Sequence, residues 1–377
     1  MNLIQFGLAE GGCMSDPITL DHDEAATARA ANAMRVTIVG AGVAGLTCAH
    51  AFAQRGAQVT VIERKSGSGQ GCSWYAGGML APWCERESAE PLVAELGFES
   101  LDYWRREVPG VPAEGSLVLA QARDLPDLKR FSRRTEGYEW IDGARLGELE
   151  PDLAGRFEQG LFFPTEAHLE PRKALAALTG RLVSEYGVTF RYQSDVSSEV
   201  YDPASSSAPV DDEADVVLDC RGLAARDVLA DLRGVKGEML VLYSTEISLK
   251  RPVRMLHPRI PVYIVPRGDG HFMIGATSIE NDERGRVTGR SLLELLSAVY
   301  ALHPAFGEAE VVEIGADVRP AFPDNLPRIR RRGRTILVNG FYRHGFLLAP
   351  ALARRAAELA FDGTHFPEVM DEDRREW

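Results

Sequence analysis

At 377 residues the chain is long enough for two domains with a sizeable core, and its 45% hydrophobic and 26% charged residues describe a folded globular protein rather than a disordered one. A formal net charge of −13, with no Lys/Arg-rich face carrying interleaved aromatics, argues against nucleic acid as a partner. The five cysteines lack CxxC spacing, the eight histidines form no HxxxH pair, and no apolar run reaches the roughly 18 residues of a membrane span, so a cytoplasmic chain without metal or membrane is expected.

Residues 1–33 are acidic and lack a positive region followed by an apolar stretch, so they do not read as a secretory signal. They are read as a disordered extension or the product of an upstream start, outside the fold. The first strand is predicted at residues 35–39, a β-branched run, followed by Gly40-Ala41-Gly42-Val43-Ala44-Gly45 and a helix to about Arg55. A second strand over residues 58–62 ends at Glu63. This is a βαβ unit, which makes its strands parallel and starts a doubly wound sheet.

Residues 66–78 are rich in Gly and Ser, and their first half alone reads as a mobile surface loop. The continuation Ala76-Gly77-Gly78-Met79-Leu80-Ala81-Pro82 is too apolar for a solvated linker. A helix is predicted over 170–186, strands at 188–192 and 214–219, an exposed Ser/Asp/Pro loop at 195–212, and near the end a strand at 335–339 with a helix over 346–361. Between these lie runs without intervening helices, at residues 115–120, 238–243, 262–266, 272–274 and 310–318, which suggest a second, mostly antiparallel sheet. The expected fold is α/β: a Rossmann-like doubly wound domain over residues 34–85, 150–233 and 325–365, with an inserted, mostly antiparallel α+β substrate domain over 86–149 and 234–324.

Gly40-x-Gly42-x-x-Gly45 follows a strand, opens a helix and has Glu63 about twenty residues on, the context that turns a weak motif into a dinucleotide site. Its glycines permit the turn, the approach of a pyrophosphate and close packing, while Glu63 accepts from ribose hydroxyls. A bare glycine turn without ligand is the bland alternative, and the motif alone does not choose FAD over NAD. The glycine-lined stretch from Gly67 to Met79 favours FAD. So does Gly340-Phe341-Tyr342-Arg343-His344-Gly345-Phe346-Leu347-Leu348-Ala349-Pro350, where a strand runs into a helix whose positive end suits a reduced flavin.

These residues, with Val235-Lys236-Gly237-Glu238, Tyr263-Ile264-Val265-Pro266-Arg267, Gly275-Ala276-Thr277, Arg319-Pro320 and Pro323-Asp324, resemble the glycine oxidases of thiamin biosynthesis, in the D-amino-acid oxidase superfamily, over about Met34 to Gly363. The resemblance implies noncovalent FAD held by Gly40, Gly42, Val43, Ala44, Gly45, Glu63, Arg64, Ser73, Ala76, Gly77, Gly78, Met79, Val196, Gly222, Arg319, Arg343, His344, Gly345, Phe346 and Leu347. It implies that Tyr263, Arg319 and Arg343 hold the carboxylate of a glycine-like substrate. Hydride then passes to the flavin, an imine leaves, and dioxygen reoxidises the cofactor with release of hydrogen peroxide. A homo-oligomer and a hand-off to thiazole synthase go with the same resemblance. Without it, Tyr263 would read as a packed aromatic and the arginines as surface pairs.

Two departures stand out. Phe322 follows Arg319-Pro320-Ala321 and would narrow the site. His344 is either a site residue or a helix N-terminal residue with no chemistry. Rival readings are D-amino-acid oxidase, sarcosine oxidase, a dehydrogenase that uses a carrier, an NAD-dependent dehydrogenase, and a catalytically silent flavin-binding partner. No cysteine lies between Asp317 and Pro323, and no His stands beside Ser73-Trp74, the positions where relatives attach flavin.

Overall fold

The computed structural model describes residues 33–196, 213–257 and 260–371; the extension before residue 33 and the Ser-rich segment 197–212 lie outside the described residues. In chain order the elements are β1 (Arg35–Val39), α1 (Val43–Gln54), β2 (Gln58–Glu63), β3 (Met79–Leu80), α2 (Pro82–Arg86), α3 (Pro91–Glu107), β4 (Ser116–Ala120), α4 (Leu125–Ser132), β5 (Glu139–Asp142), α5 (Gly143–Leu149), β6 (Gln159–Phe163), β7 (Ala167–His168), α6 (Pro171–Tyr186), β8 (Thr189–Tyr192) and β9 (Val216–Asp219). They continue with β10 (Arg233–Tyr243), β11 (Val253–Leu256), β12 (Val262–Gly268), β13 (His271–Gly275), α7 (Gly289–Leu302), β14 (Glu310–Ala321), β15 (Arg328–Arg332), β16 (Thr335–Asn339) and α8 (Gly345–Asp362).

The first sheet runs β15-β16-β9-β1-β2-β8, parallel throughout except for the β15–β16 pair. Four of the five β1 residues are buried, as expected of a strand covered on both faces. Helix α1 packs against both α6 and α8 in its core, which holds Leu46, Phe52, Leu178, Leu348 and Leu352. Helix α3 belongs to this core too: Val93, Leu96 and Trp104 are buried in it, and Trp104 Nε1 donates to the Phe346 carbonyl at 2.6 Å. The boundary expected at residue 86 therefore does not follow the packing, because α3 presents its apolar stripe to α8.

The second sheet runs β14-β10-β13-β12-β11-β4-β6-β5, antiparallel except for the parallel β4–β11 pair. Strand β6 sits inside it, with Ser116 opposite Phe163 and Glu139 opposite Phe162. The boundary expected at residue 150 thus falls too early, since β6 finds its hydrogen-bond partners in β4 and β5. The paired strands β10 and β14 carry the second sheet to the edge of the first, where the Tyr342 N–H donates to the Pro320 carbonyl at 2.8 Å. The cleft between the sheets opens at the carboxyl ends of the parallel strands, the usual place for a ligand in an open α/β sheet.

Candidate active site

Gly40 follows β1 directly; its φ of +102° favours glycine, and an added Cβ would stand 2.6 Å from the Cys220 carbonyl oxygen. An added Cβ at Gly45 would lie 1.8 Å from the Gly40 carbonyl oxygen, so Gly45 serves the close packing of turn on helix and does not itself line the cleft. Gly42 begins α1 without a side-chain cap of its own. Glu63 closes the turn from β2, its carboxylate accepting from the amides of Ala41 (2.8 Å) and Lys65 (2.9 Å). Two carboxylate oxygens offer about four acceptor positions, which leaves room for the hydroxyls of a ribose. Ser73 Oγ, on the next loop, accepts from the Val43 amide at 3.1 Å at the positive end of α1. Val196, expected in an exposed loop, is buried beside Val39, Ile62 and Val217 because its side chain turns back onto the first sheet.

The loop that precedes β3 is tied down along its length. Arg172 donates to the Trp74 carbonyl (3.2 Å), lies 4.4 Å from the Trp74 ring centroid and makes a two-pronged ion pair with Glu313 at 2.8 and 2.7 Å. Arg267 Nη2 donates to the Ala76 carbonyl at 2.9 Å. Gly77 leaves space for Tyr263, whose Cε2 would lie 2.7 Å from a Cβ there. These contacts cross between the sheets and hold Ala76 to Met79 as one wall of the cleft, which is not the behaviour of a mobile surface loop.

The opposite wall is the face of the second sheet, and its register decides which side chains meet. Tyr263 stands opposite Gly275, Gly275 opposite Met239, and Met239 opposite Gly315, while Val235 pairs with Arg319. Directly paired residues share a face. Tyr263, Met239, Asp317 and Arg319 therefore look into one cleft, as its lining shows. The Arg319 guanidinium lies over Gly237 and donates to the Thr277 carbonyl at 3.1 Å. Thr277 is buried, accepts from the Glu238 amide at 2.9 Å and donates to the Glu238 carboxylate at 3.3 Å. The Lys-Gly-Glu, Gly-Ala-Thr and Arg-Pro stretches thus form one support for Arg319. Among the described residues Arg319 has no carboxylate partner.

Arg343 is placed differently. Its Nη2 donates to Glu85 Oε2 at 2.9 Å, and His344 Nδ1 lies 3.6 Å from the same oxygen. Burial opposes ionisation of Glu85, but Arg343, His344 and Arg254 prevail and hold its carboxyl down at about 2. Glu85 in turn raises the Arg343 guanidinium above its ordinary value. Burial pushes the His344 imidazole down to about 4, so at neutral pH it lines the cleft uncharged. Helix α2, which carries Glu85, is fixed from below: the buried Glu166 carboxyl group accepts from the Cys84 amide at 2.7 Å and is hydrogen-bonded to the Ser116 hydroxyl, and Arg254 Nη1 donates to the Cys84 carbonyl at 3.3 Å.

Gly40, Gly42, Val43, Ala44, Glu63, Arg64, Ser73, Ala76, Gly77, Gly78, Met79, Val196, Gly222, Tyr263, Arg319, Arg343, His344, Gly345, Phe346 and Leu347 all line this single cleft. Phe322 does not, contrary to expectation: it is 1% exposed, packs under Gly340 and lies 4.7 Å from the Arg330 guanidinium. Sequence reasoning missed Glu85, Met239, Arg284, Asp317, Asn339 and Tyr342, which also line it. Tyr342 was within reach, since it lies inside the Gly340 to Pro350 stretch; the ion pair of Glu85 spans 258 positions and leaves no local signal. Among the described residues no group of three or more His, Cys, Asp and Glu side chains is arranged for a metal ion, and no helix is long and apolar enough to cross a membrane.

The glycine turn, the acceptor-rich Glu63 and the long lined cleft fit an adenine dinucleotide with an isoalloxazine end. Over residues 35–359 the chain matches the FAD dependent oxidoreductase family. It is 55% identical over 336 residues to a protein of Rhizobium etli provisionally named thiamine biosynthesis oxidoreductase ThiO, a match that spans 89% of this chain and 99% of that one. It is 30% identical over 360 residues to a glycine oxidase of Geobacillus kaustophilus, covering 86% of this chain and 92% of that one. A crystal structure of glycine oxidase from Geobacillus kaustophilus superposes with a TM-score of 0.73 at 25% identity, over 89% of this chain and 96% of that one. A bifunctional protein ThiO/ThiG of Synechocystis sp. is 26% identical over 347 residues, which is 87% of this chain and 51% of the longer one. The chain therefore belongs to the FAD dependent oxidoreductase family, with the fold of glycine oxidase.

Proposed function

We propose that this chain oxidises the carbon–nitrogen bond of glycine or a similarly small amine, using FAD and dioxygen, and that the imine it forms supplies thiazole assembly in thiamin biosynthesis. The observation that carries the reading is Arg319: a guanidinium without a carboxylate partner among the described residues, facing the same cleft as the dinucleotide turn and Tyr263. A substrate as small as glycine has almost no apolar surface, so its binding free energy comes mainly from its carboxylate. Arg319 anchors that carboxylate, and the Tyr263 hydroxyl is the second donor. Their rigid support on Gly237, Thr277 and Gly77 fixes the substrate carbon relative to the cofactor wall. Bound FAD would supply the chemistry: it would take a hydride (two electrons and one proton) from that carbon while the amine gives up a second proton to become the imine, and dioxygen would leave with the two electrons and two protons as hydrogen peroxide. The neutral His344 adds no charge of its own beside the reacting amine.

FAD would be held by Glu63 at its adenosine ribose, by the turn from Gly40 to Ala44 with Ser73 at its pyrophosphate, and by Ala76 to Met79 with Gly345 to Leu347 about its flavin. Cys72 also lines the cleft, and burial pushes its thiol up to about 11, which supports a noncovalent flavin. The Rhizobium relative, aligned over nearly all its length, supports the thiamin assignment, and the bifunctional Synechocystis relative supports a transient hand-off of the imine to a separate thiazole synthase. A peroxide assay across glycine, sarcosine, N-ethylglycine and D-alanine, read as turnover per bound flavin, tests the proposal. Turnover should favour glycine or its N-alkyl forms. Peroxide from none of the four would reject it.

A further inference from the structure

We infer that Glu85 is a specificity-determining residue that restricts the site to amines carrying a single carboxylate. This rests on the reading of the cleft as an amino-acid site. Two guanidiniums, Arg319 and Arg343, face the space beside Tyr263, and two free cations there would suit a dianion. Glu85 removes one of them: its carboxylate is hydrogen-bonded to Arg343 Nη2 at 2.9 Å. A second pair, Arg284 with Asp317 at 3.4 Å, cancels in the same way, and burial holds His344 uncharged at neutral pH. Arg267, also within electrostatic reach of Tyr263, is paired with Glu170 at 3.4 Å, so among these groups Arg319 alone keeps a positive charge without a carboxylate partner, which matches one carboxylate.

Glu85 acts by repulsion as well as by neutralisation. A second carboxylate that reached for Arg343 would have to displace Glu85 or lie beside it, and like charges in a partly desolvated cleft disfavour one another strongly. Helix α2 cannot easily yield, because Glu166 and Arg254 hold its Cys84 on both the amide and the carbonyl side. Glu85 thus acts against dicarboxylates as a fixed anion.

The test uses Glu85→Gln, which keeps an oxygen that accepts from Arg343 while removing the charge. Acetate and malonate are titrated into the FAD-loaded protein at constant ionic strength, and binding is followed by the change in flavin absorption. In the unaltered protein acetate should bind more tightly than malonate. In the variant the malonate-to-acetate affinity ratio should rise by about tenfold or more, the scale of one lost charge contact. The ratio of kcat/KM for iminodiacetate over glycine should move the same way, and Glu85→Asp should behave as the unaltered protein. An unchanged ratio in a folded, FAD-loaded Glu85→Gln protein would overturn the inference. If that variant does not fold, tighter malonate than acetate binding by the unaltered protein overturns it alone. Failure of the amino-acid reading gives a different signature: neither glycine nor iminodiacetate reduces the flavin, whatever the anion ratio.

Discussion

The guanidinium of Arg319 occupies the space that a side chain at residue 237 would need: a Cβ added to Gly237 would stand 2.2 Å from Arg319 Nη2 and 2.3 Å from its Cζ. The group in the way is the far end of a flexible side chain, so Gly237→Ala should fold, with Arg319 pushed off its seat. Misplacing a substrate-holding group by about an ångström costs roughly 10- to 100-fold in rate. We expect kcat/KM for glycine to fall by that factor while FAD content and thermal midpoint stay near those of the unaltered protein. Steady-state kinetics beside a flavin-to-protein absorbance ratio decides it; unaltered kcat/KM would mean that Arg319 is not positioned by this contact.

Replacing Arg319 itself by Leu should be more severe, on the order of 3 to 5 kcal/mol in kcat/KM, because the substrate carboxylate loses a two-pronged, charge-assisted partner. Lys should restore only part of this, since an ammonium cannot present the same fork. Flavin content should be unchanged in both. A Leu variant that oxidises glycine normally would move the anchor to Arg343, against the pairing of Arg343 with Glu85.

Glu63→Ala should weaken FAD retention by roughly 1.5 to 3 kcal/mol, the worth of a charged acceptor. Because Glu63 also holds the amides of Ala41 and Lys65, the turn should loosen in the same variant and the apoprotein lose some stability. Flavin content after dialysis reads the first effect, and a melting curve of the apoprotein the second. Acid precipitation of the unaltered protein should release FAD intact; yellow precipitate would reveal a covalent link.

Stability should fall through ionisation of Glu166 between about pH 4.5 and 8, and the effect is read most cleanly in the upper part of that range, above the histidine titrations. Burial pushes its carboxyl from 4.5 up to about 8, against hydrogen bonds from Ser116 and Cys84. The folded chain therefore holds this proton better than the unfolded chain, so its contribution is full below about pH 4.5 and is lost as pH rises through about 8. His344, with its folded value lowered to about 4, acts in the opposite sense and mainly below pH 6.5, which leaves the upper window to Glu166. Urea midpoints of the unaltered protein should fall across that window, and Glu166→Gln should flatten the slope. Equal slopes in the two proteins would contradict the assignment.

What was legible in the sequence was local. The turn from Gly40 to Gly45 and its acceptor Glu63 are set by one strand, one turn and one helix, and the spacing alone betrays them. Tyr263 and Arg319 were legible through motif resemblance, but their convergence depends on strand register across β12, β13, β10 and β14, which no short window encodes. Glu85 is one acidic residue among several near Arg86, and only the fold brings it to Arg343. Phe322 misled for the opposite reason: it stands three residues from Arg319 yet turns under Gly340, away from the cleft. Strand β6 and helix α3 crossed the expected domain boundaries because their partners, β4 and α8, come from other parts of the chain.

The reaction assigned to this chain removes two electrons from the carbon–nitrogen bond of a small amino acid. Its most direct test is anaerobic mixing of the FAD-loaded protein with glycine in a stopped-flow spectrophotometer, with glyoxylate and ammonia measured after the quench. The oxidised flavin band should bleach fully, saturably in glycine, with one glyoxylate and one ammonia per flavin, and Arg319→Leu should not saturate at the same concentrations. A flavin that stays oxidised with glycine, sarcosine, N-ethylglycine and D-alanine alike would contradict it.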